Sequence, residues 1–164
     1  MEKPKQPGKR RKTKRRKRDE RCSYVIEAQH WSMNYSLSLN DFPKFLSGTY
    51  LESLNLEIKG IIREPSKYAD NQVDLKFLGD RSIISRIAER EEPETKPNGV
   101  GSITLRGEQR EFLGILPLDI LPIIKSLLEA KEIHFIRFYG LMPKYGTAHI
   151  DSIYFLKTYS PDEQ

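Results

Sequence analysis

The sequence has almost no cysteine. Cys22 stands alone, which excludes an intramolecular disulfide and any cysteine-based metal cluster. Nothing in the chain points to an oxidising compartment. Long apolar runs are missing too, and no stretch approaches the length of a membrane span. The segment CSYVIEAQHW, which follows the basic N-terminus, is interrupted by Glu27 and Gln29 and precedes no small-residue cleavage site. It does not read as a secretory signal. Residues 2–21 contain no large apolar side chain, which excludes an amphipathic presequence. These absences predict a soluble protein with no membrane contact, cytoplasmic, or nuclear or nucleolar in a eukaryotic source.

Catalytic and cofactor motifs are equally scarce. There is no G-x-S-x-G elbow, no P-loop with its lysine, and no G-x-G-x-x-G between a strand and a helix. The carboxylates Glu89, Glu91, Glu92 and Glu94 crowd one stretch without the Asp/Asn/Gly order of a calcium loop, and read as a solvated charge run. No cofactor and no metal is expected. Cys22 has no general base supplied by its sequence context, and reads as a small hydrophobe at the start of a strand.

What the chain does have is positive charge in one place. Residues 9–18 read KRRKTKRRKR, basic at Lys9, Arg10, Arg11, Lys12, Lys14, Arg15, Arg16, Lys17 and Arg18. Residues 1–21 carry twelve basic and three acidic side chains, a charge of +9, which leaves sixteen basic and twenty acidic residues, −4, for the rest. The pI of about 9.2 therefore describes neither part. With two prolines, strong self-repulsion and no apolar periodicity, residues 1–21 cannot bury enough to offset their ordering entropy. They are expected to be a disordered tail, and residues 22–164 a β-rich globular domain. A body that bound phosphates by bulk attraction should itself be basic. This one is acidic, so the nine cations above are the expected nucleic-acid-binding residues, with DNA and RNA not distinguished.

The body reads mainly as strands. Tyr24, Ile26 and Ala28 are apolar at even positions, and Trp31, Met33, Tyr35, Leu37 and Leu39 at odd ones. A strand keeps one face at alternate residues, so the change of phase near Gln29 and His30 requires a bulge or bend. On this pattern Trp31 heads a buried row. Leu54, Leu56, Ile58 and Ile62 form a second strand with Gly60 as its weak point, and Val73, Leu75 and Phe77 a third. Gly79–Asp80 reads as a hairpin signal, with RSIISRIAER as a returning strand or a short helix. A further hairpin turns at Gly107–Glu108. A helix capped by Asp119 presents the stripe Ile120, Ile123, Ile124, Leu127 and Leu128. EIHFIRFYG and TAHIDSIYFLKTY close the chain as two strands. Short connections favour antiparallel pairing. The predicted fold is an antiparallel, sandwich-like or barrel-like domain of about seven or eight strands with one late amphipathic helix.

Two groups of side chains bear on function. His30, His134, His149 and Asp151 would make a small enzyme site if separate strands brought them together; a turn near Leu141–Met142 sets His134 and His149 face to face, and one near Pro143 offsets them by about three residues. The aromatics Tyr24, Trp31, Tyr35, Phe135, Phe138, Tyr139, Tyr154, Phe155 and Tyr159 lie on the proposed strands and read as core. A base-stacking platform would want interleaved cations, and only Arg137 and Lys157 are near. The leading reading is a non-enzymatic binding module: the tail anchors it to nucleic acid without sequence preference, and the acidic body binds a protein or other partner. The alternatives are the small enzyme and a structural subunit of a larger assembly.

Overall fold

In a computed structural model of the protein, the structure describes residues 20–39, 50–80 and 99–161. The nine tail cations, the acidic run at 89–94 and the expected returning element in RSIISRIAER lie outside these residues. The strands are β1 (Arg21–Leu39), β2 (Tyr50–Glu64), β3 (Gln72–Asp80), β4 (Gly101–Arg106), β5 (Gln109–Pro117), β6 (Phe135–Leu141) and β7 (Thr147–Leu156). A helix, α1 (Ile120–Glu129), falls between β5 and β6, and a short 3-10 turn, Ser66–Tyr68, follows β2. No helix among the described residues is long and apolar enough to cross a membrane.

The strands close into a barrel in the order β1-β2-β3-β5-β4-β7-β6, with β6 returning to β1. The mainly β architecture with one late helix is as the sequence predicts. The pairing is not wholly antiparallel. Strand directions cannot alternate all the way round a closed ring with an odd number of strands, so one seam must be parallel. That seam is β3 against β5. Gly79 and Asp80, expected to turn a hairpin, instead continue β3 alongside Leu116 and Pro117 of β5.

Alternation fills the interior. Leu56, Ile58, Leu75, Phe77, Ile103, Phe112, Ile136, Phe138 and Ile150 are fully buried. Phe112 joins two other rings, with centroids 5.3 Å from Phe77, inside the range of favourable aromatic pairs, and 4.4 Å from Phe138, at its near edge. The phase change in β1 is a bulge: Ala28 pairs with Gly60 and His30 with Lys59, which leaves Gln29 as the extra residue. Gly60 is required there, because a Cβ would meet Ile26 Cγ2 at 2.5 Å and the Glu27 carbonyl oxygen at 2.7 Å. Beyond the bulge the apolar row thins out. Trp31 and Met33 are half-buried against the core, and Tyr35 and Leu37 are exposed. This part of β1 has left β6, and so loses the neighbour that would have covered it.

Helix α1 packs at the end of the barrel where β3 and β5 finish, with Leu121 over Gly79. Its buried residues are Leu121, Ile124 and Leu128, not the whole expected stripe. Ile120, Ile123 and Leu127 face outward. Asp119 is itself in the right-handed helical region and makes no side-chain cap. The other end is better sealed. Lys131, at φ 57°, donates its N–H to Leu128, and Glu132 donates to Leu127, the two bonds of a Schellman motif. Replacing Ile124 by alanine is expected to cost roughly 2–4 kcal/mol, the range for a large-to-small core change. Chemical denaturation checks this, and an unchanged midpoint would mean that the helix contributes no packing to the barrel.

Candidate nucleic-acid interface

The tail is rooted at one defined place. The Glu20 carbonyl accepts a 2.8 Å hydrogen bond from the Met142 N–H, and Arg21 opens the β1–β6 ladder opposite Leu141. Glu20 thus lies at the end of the barrel where the β6–β7 hairpin turns. Arg21 lies largely in solvent and reaches Asp151 at 3.4 Å. Asp151 is the extra residue of a bulge in β7, since Tyr139 pairs with Ser152 and Gly140 with Ile150.

The hairpin turns later than the sequence suggested. Lys144 and Thr147 exchange backbone hydrogen bonds of 3.0 and 3.2 Å around Tyr145 and Gly146, whose φ values are 55° and 90°. Positive φ at both central residues is the type I′ pattern, whose twist suits a two-residue hairpin. Tyr145 is 98% exposed at its tip.

The aromatics divide between two faces. Tyr24 and Phe138 are in the core, and Trp31 and Phe155 pack against it. The Tyr24 hydroxyl donates to the Leu141 carbonyl at 2.8 Å, and burial raises its pKa strongly. Phe135, Arg137, Tyr139 and Tyr154 lie on the outer face of β6 and β7. Tyr139 and Tyr154 meet edge to face with centroids 5.6 Å apart. The Arg137 guanidinium lies 5.9 Å from the Tyr139 ring centroid and 5.2 Å from that of Tyr159, which comes back over this face and bonds Glu64 through its hydroxyl. Arg137 donates to the Tyr139 hydroxyl at 3.2 Å, its Nε is buried without a partner, and no carboxylate is within ion-pair distance of it among the described residues. Several other cations are already committed. Arg63 binds Glu27 and Asp70, both at 2.6 Å, and the Glu27 contact leads the upward shift of its pKa. Lys76 holds Glu111 at 2.7 Å, and Lys157 holds Glu132 at 2.8 Å.

The residues of the enzyme alternative are spread around the barrel. His134 is at the foot of β6, where its N–H bonds Leu156, while His149 faces Ser102 of β4. The β7 segment from His149 to Leu156 separates them by roughly 20 Å at about 3.3 Å per residue. Neither expected turn position survives, because the register places Phe135 opposite Leu156. His30 sits beside Lys59 on the outer face. Among the described residues no group of three or more His, Cys, Asp or Glu side chains converges as a metal site.

Cys22, half-buried at the start of β1, donates weakly to the Ser23 carbonyl. Burial, with a smaller contribution from Glu64, pushes its thiol pKa above the ordinary 9.0, although a hydrogen bond with Tyr24 pulls the other way. Cys22 is therefore expected to react with a thiol reagent at mildly alkaline pH more slowly than free cysteine, because the thiolate is the nucleophile. A rate equal to that of free cysteine would show an open, unperturbed thiol.

The exposed tyrosines of the hairpin are what sequence reasoning missed. Alternation shows that Tyr139 and Tyr154 are on opposite phase to Phe138 and Phe155, but not which phase faces in. In comparisons with known proteins, no family model, no curated protein and no solved structure matches this chain.

Proposed function

We propose that the protein is a non-enzymatic nucleic-acid-binding module whose basic N-terminal tail supplies the electrostatic affinity. The observation that carries this reading is the placement of charge: a +9 segment joined to a −4 body at the end of the barrel where the β6–β7 hairpin turns. Clustered lysines and arginines bind phosphates, release counterions and read no base edges. Next to the tail the body adds a surface with exposed tyrosines and Arg137, which has no ion-paired carboxylate among the described residues. A protein contact on the body is supported by the apolar row Ile120, Ile123 and Leu127, left exposed on α1.

The test is a salt series on the full-length protein and on a variant whose nine tail cations are replaced by glutamine, with duplex DNA and duplex RNA as probes. Steep salt dependence that disappears with the tail charge supports the reading. Affinity that survives neutralisation of the tail sinks it.

A further inference from the structure

Among the residues whose side chains are described, the exposed aromatics are Tyr35, Tyr139, Tyr145 and Tyr154. Three of these four lie on the β6–β7 hairpin, the element that bonds the root of the tail. Two of them are already paired edge to face, and Arg137 lies beside them between two rings. The third needs its own account. Type I′ turns favour Asn, Asp or Gly at the position Tyr145 occupies, because a bulky residue is disfavoured at positive φ. Tyr145 packs on nothing, at 98% exposure, so neither the turn nor the core explains a tyrosine there.

We infer that the β6–β7 hairpin is a stacking platform for unpaired bases, so that single strands bind more tightly than duplexes, which the tail alone can hold. This rests on the nucleic-acid reading above and narrows it. An exposed tyrosine face accepts any base, since every base has a π-face, and needs no hydrogen-bond readout. A duplex cannot use it, because its bases are stacked on one another. The two components then divide the work. The tail neutralises phosphates along the strand, and Tyr154 and, nine residues away at the turn, Tyr145 hold bases several nucleotides apart on it, roughly 3.3 Å of strand per residue separating the two rings. Among the described residues Arg137 has no ion-paired carboxylate to release before it faces a phosphate or stacks on a base, which suits it to the same ligand.

Equilibrium binding of the full-length protein decides the matter. The probes are labelled oligothymidine, oligouridine and a DNA duplex of the same length. The variants are Tyr145→Ala, Tyr154→Ala and Tyr154→Phe, together with the glutamine-substituted tail. Tyr145 and Tyr154 are outside the core, so an unchanged thermal melt confirms that each variant is folded. Each alanine is expected to weaken single-strand binding by about tenfold, towards the lower end of what one lost base stack removes. Duplex affinity is expected to stay unchanged, and Tyr154→Phe to bind like the parent because it keeps the ring. Oligothymidine and oligouridine together tell a DNA ligand from an RNA one. If both alanine variants bind the single strands as the parent does, while neutralising the tail removes binding to every probe, the platform is overturned and the tail reading stands. If the full-length parent binds none of the probes, both fall together.

Discussion

The full-length protein is expected to bind duplex DNA with a log–log salt slope of about −5 to −7, and a chain beginning at Glu20 to lose most of that affinity. The slope follows from counterion release of about 0.9 per neutralised phosphate and roughly five to eight contacts from the tail. Between about 50 and 200 mM salt the full-length affinity should fall by roughly three to four powers of ten. The body has little to put in the tail's place. It carries net −4, and Arg63, Lys76, Lys125 and Lys157 are already held by carboxylates. The cut must come before Glu20 and not after Arg21. Removing those two residues takes away the carbonyl that accepts from Met142, the first rung of the β1–β6 ladder and the contact with Asp151, so a loss of binding could then reflect a loosened barrel. Because tail contacts are to phosphates, competing duplexes of different sequence should displace the probe equally well. If the truncated chain keeps its affinity with a shallow salt slope, the site lies on the folded residues and the tail is an accessory.

Local pattern carried the sequence reading well where a local cause acts, and failed where the cause is distant. The bulge at Gln29 was legible because it shifts the side-chain phase within a few residues of one strand. The Gly107–Glu108 hairpin was legible for the same kind of reason, and Arg106 does pair with Gln109. The parallel β3–β5 seam was not, because it follows from closing an odd ring, a property of the whole sheet. Gly79–Asp80 carries a turn signal, but β5 pairs through it. Helix α1 was located correctly, but its buried face only in part: Ile124 and Leu128 face the barrel as expected, Ile120, Ile123 and Leu127 do not. Ile120, Leu121, Ile123, Ile124, Leu127 and Leu128 make its apolar arc wider than one stripe, and only the barrel mouth selects Leu121, Ile124 and Leu128 from it. The candidate site shows the same limit. Tail charge can be counted from the sequence. Tyr139 and Tyr154 could not be assigned to solvent until the barrel had an inside, and Tyr145 until the register had placed the turn.

Gly140→Ala is expected to be the most damaging single substitution in the barrel wall, at roughly 4–5 kcal/mol, the exceptional end of the range for point changes. Gly140 is buried on β6, directly opposite Ile150, where the β7 bulge drives the two backbones together. A Cβ there would fall on the His149 carbonyl oxygen and stand 3.0 Å from Ile150 Cα and 2.9 Å from Ile150 Cδ1. A side chain could turn away, but the obstructing carbonyl is backbone, so β7 must move as a unit. Overpacking against side chains usually costs about 1–3 kcal/mol because they can repack. Here the movement would also disturb Tyr24, whose hydroxyl bonds the neighbouring Leu141 carbonyl, and the pairing of Cys22 with Gly140 that helps close β1 onto β6. Gly107→Ala is the control, since nothing stands within 4 Å of a Cβ at that turn and only its φ of 66° opposes the change. Denaturant titrations of the two variants should differ by several kcal/mol in the same direction. Equal stabilities would mean that β6 and β7 do not approach each other closely at Gly140, and the barrel would not close there as described.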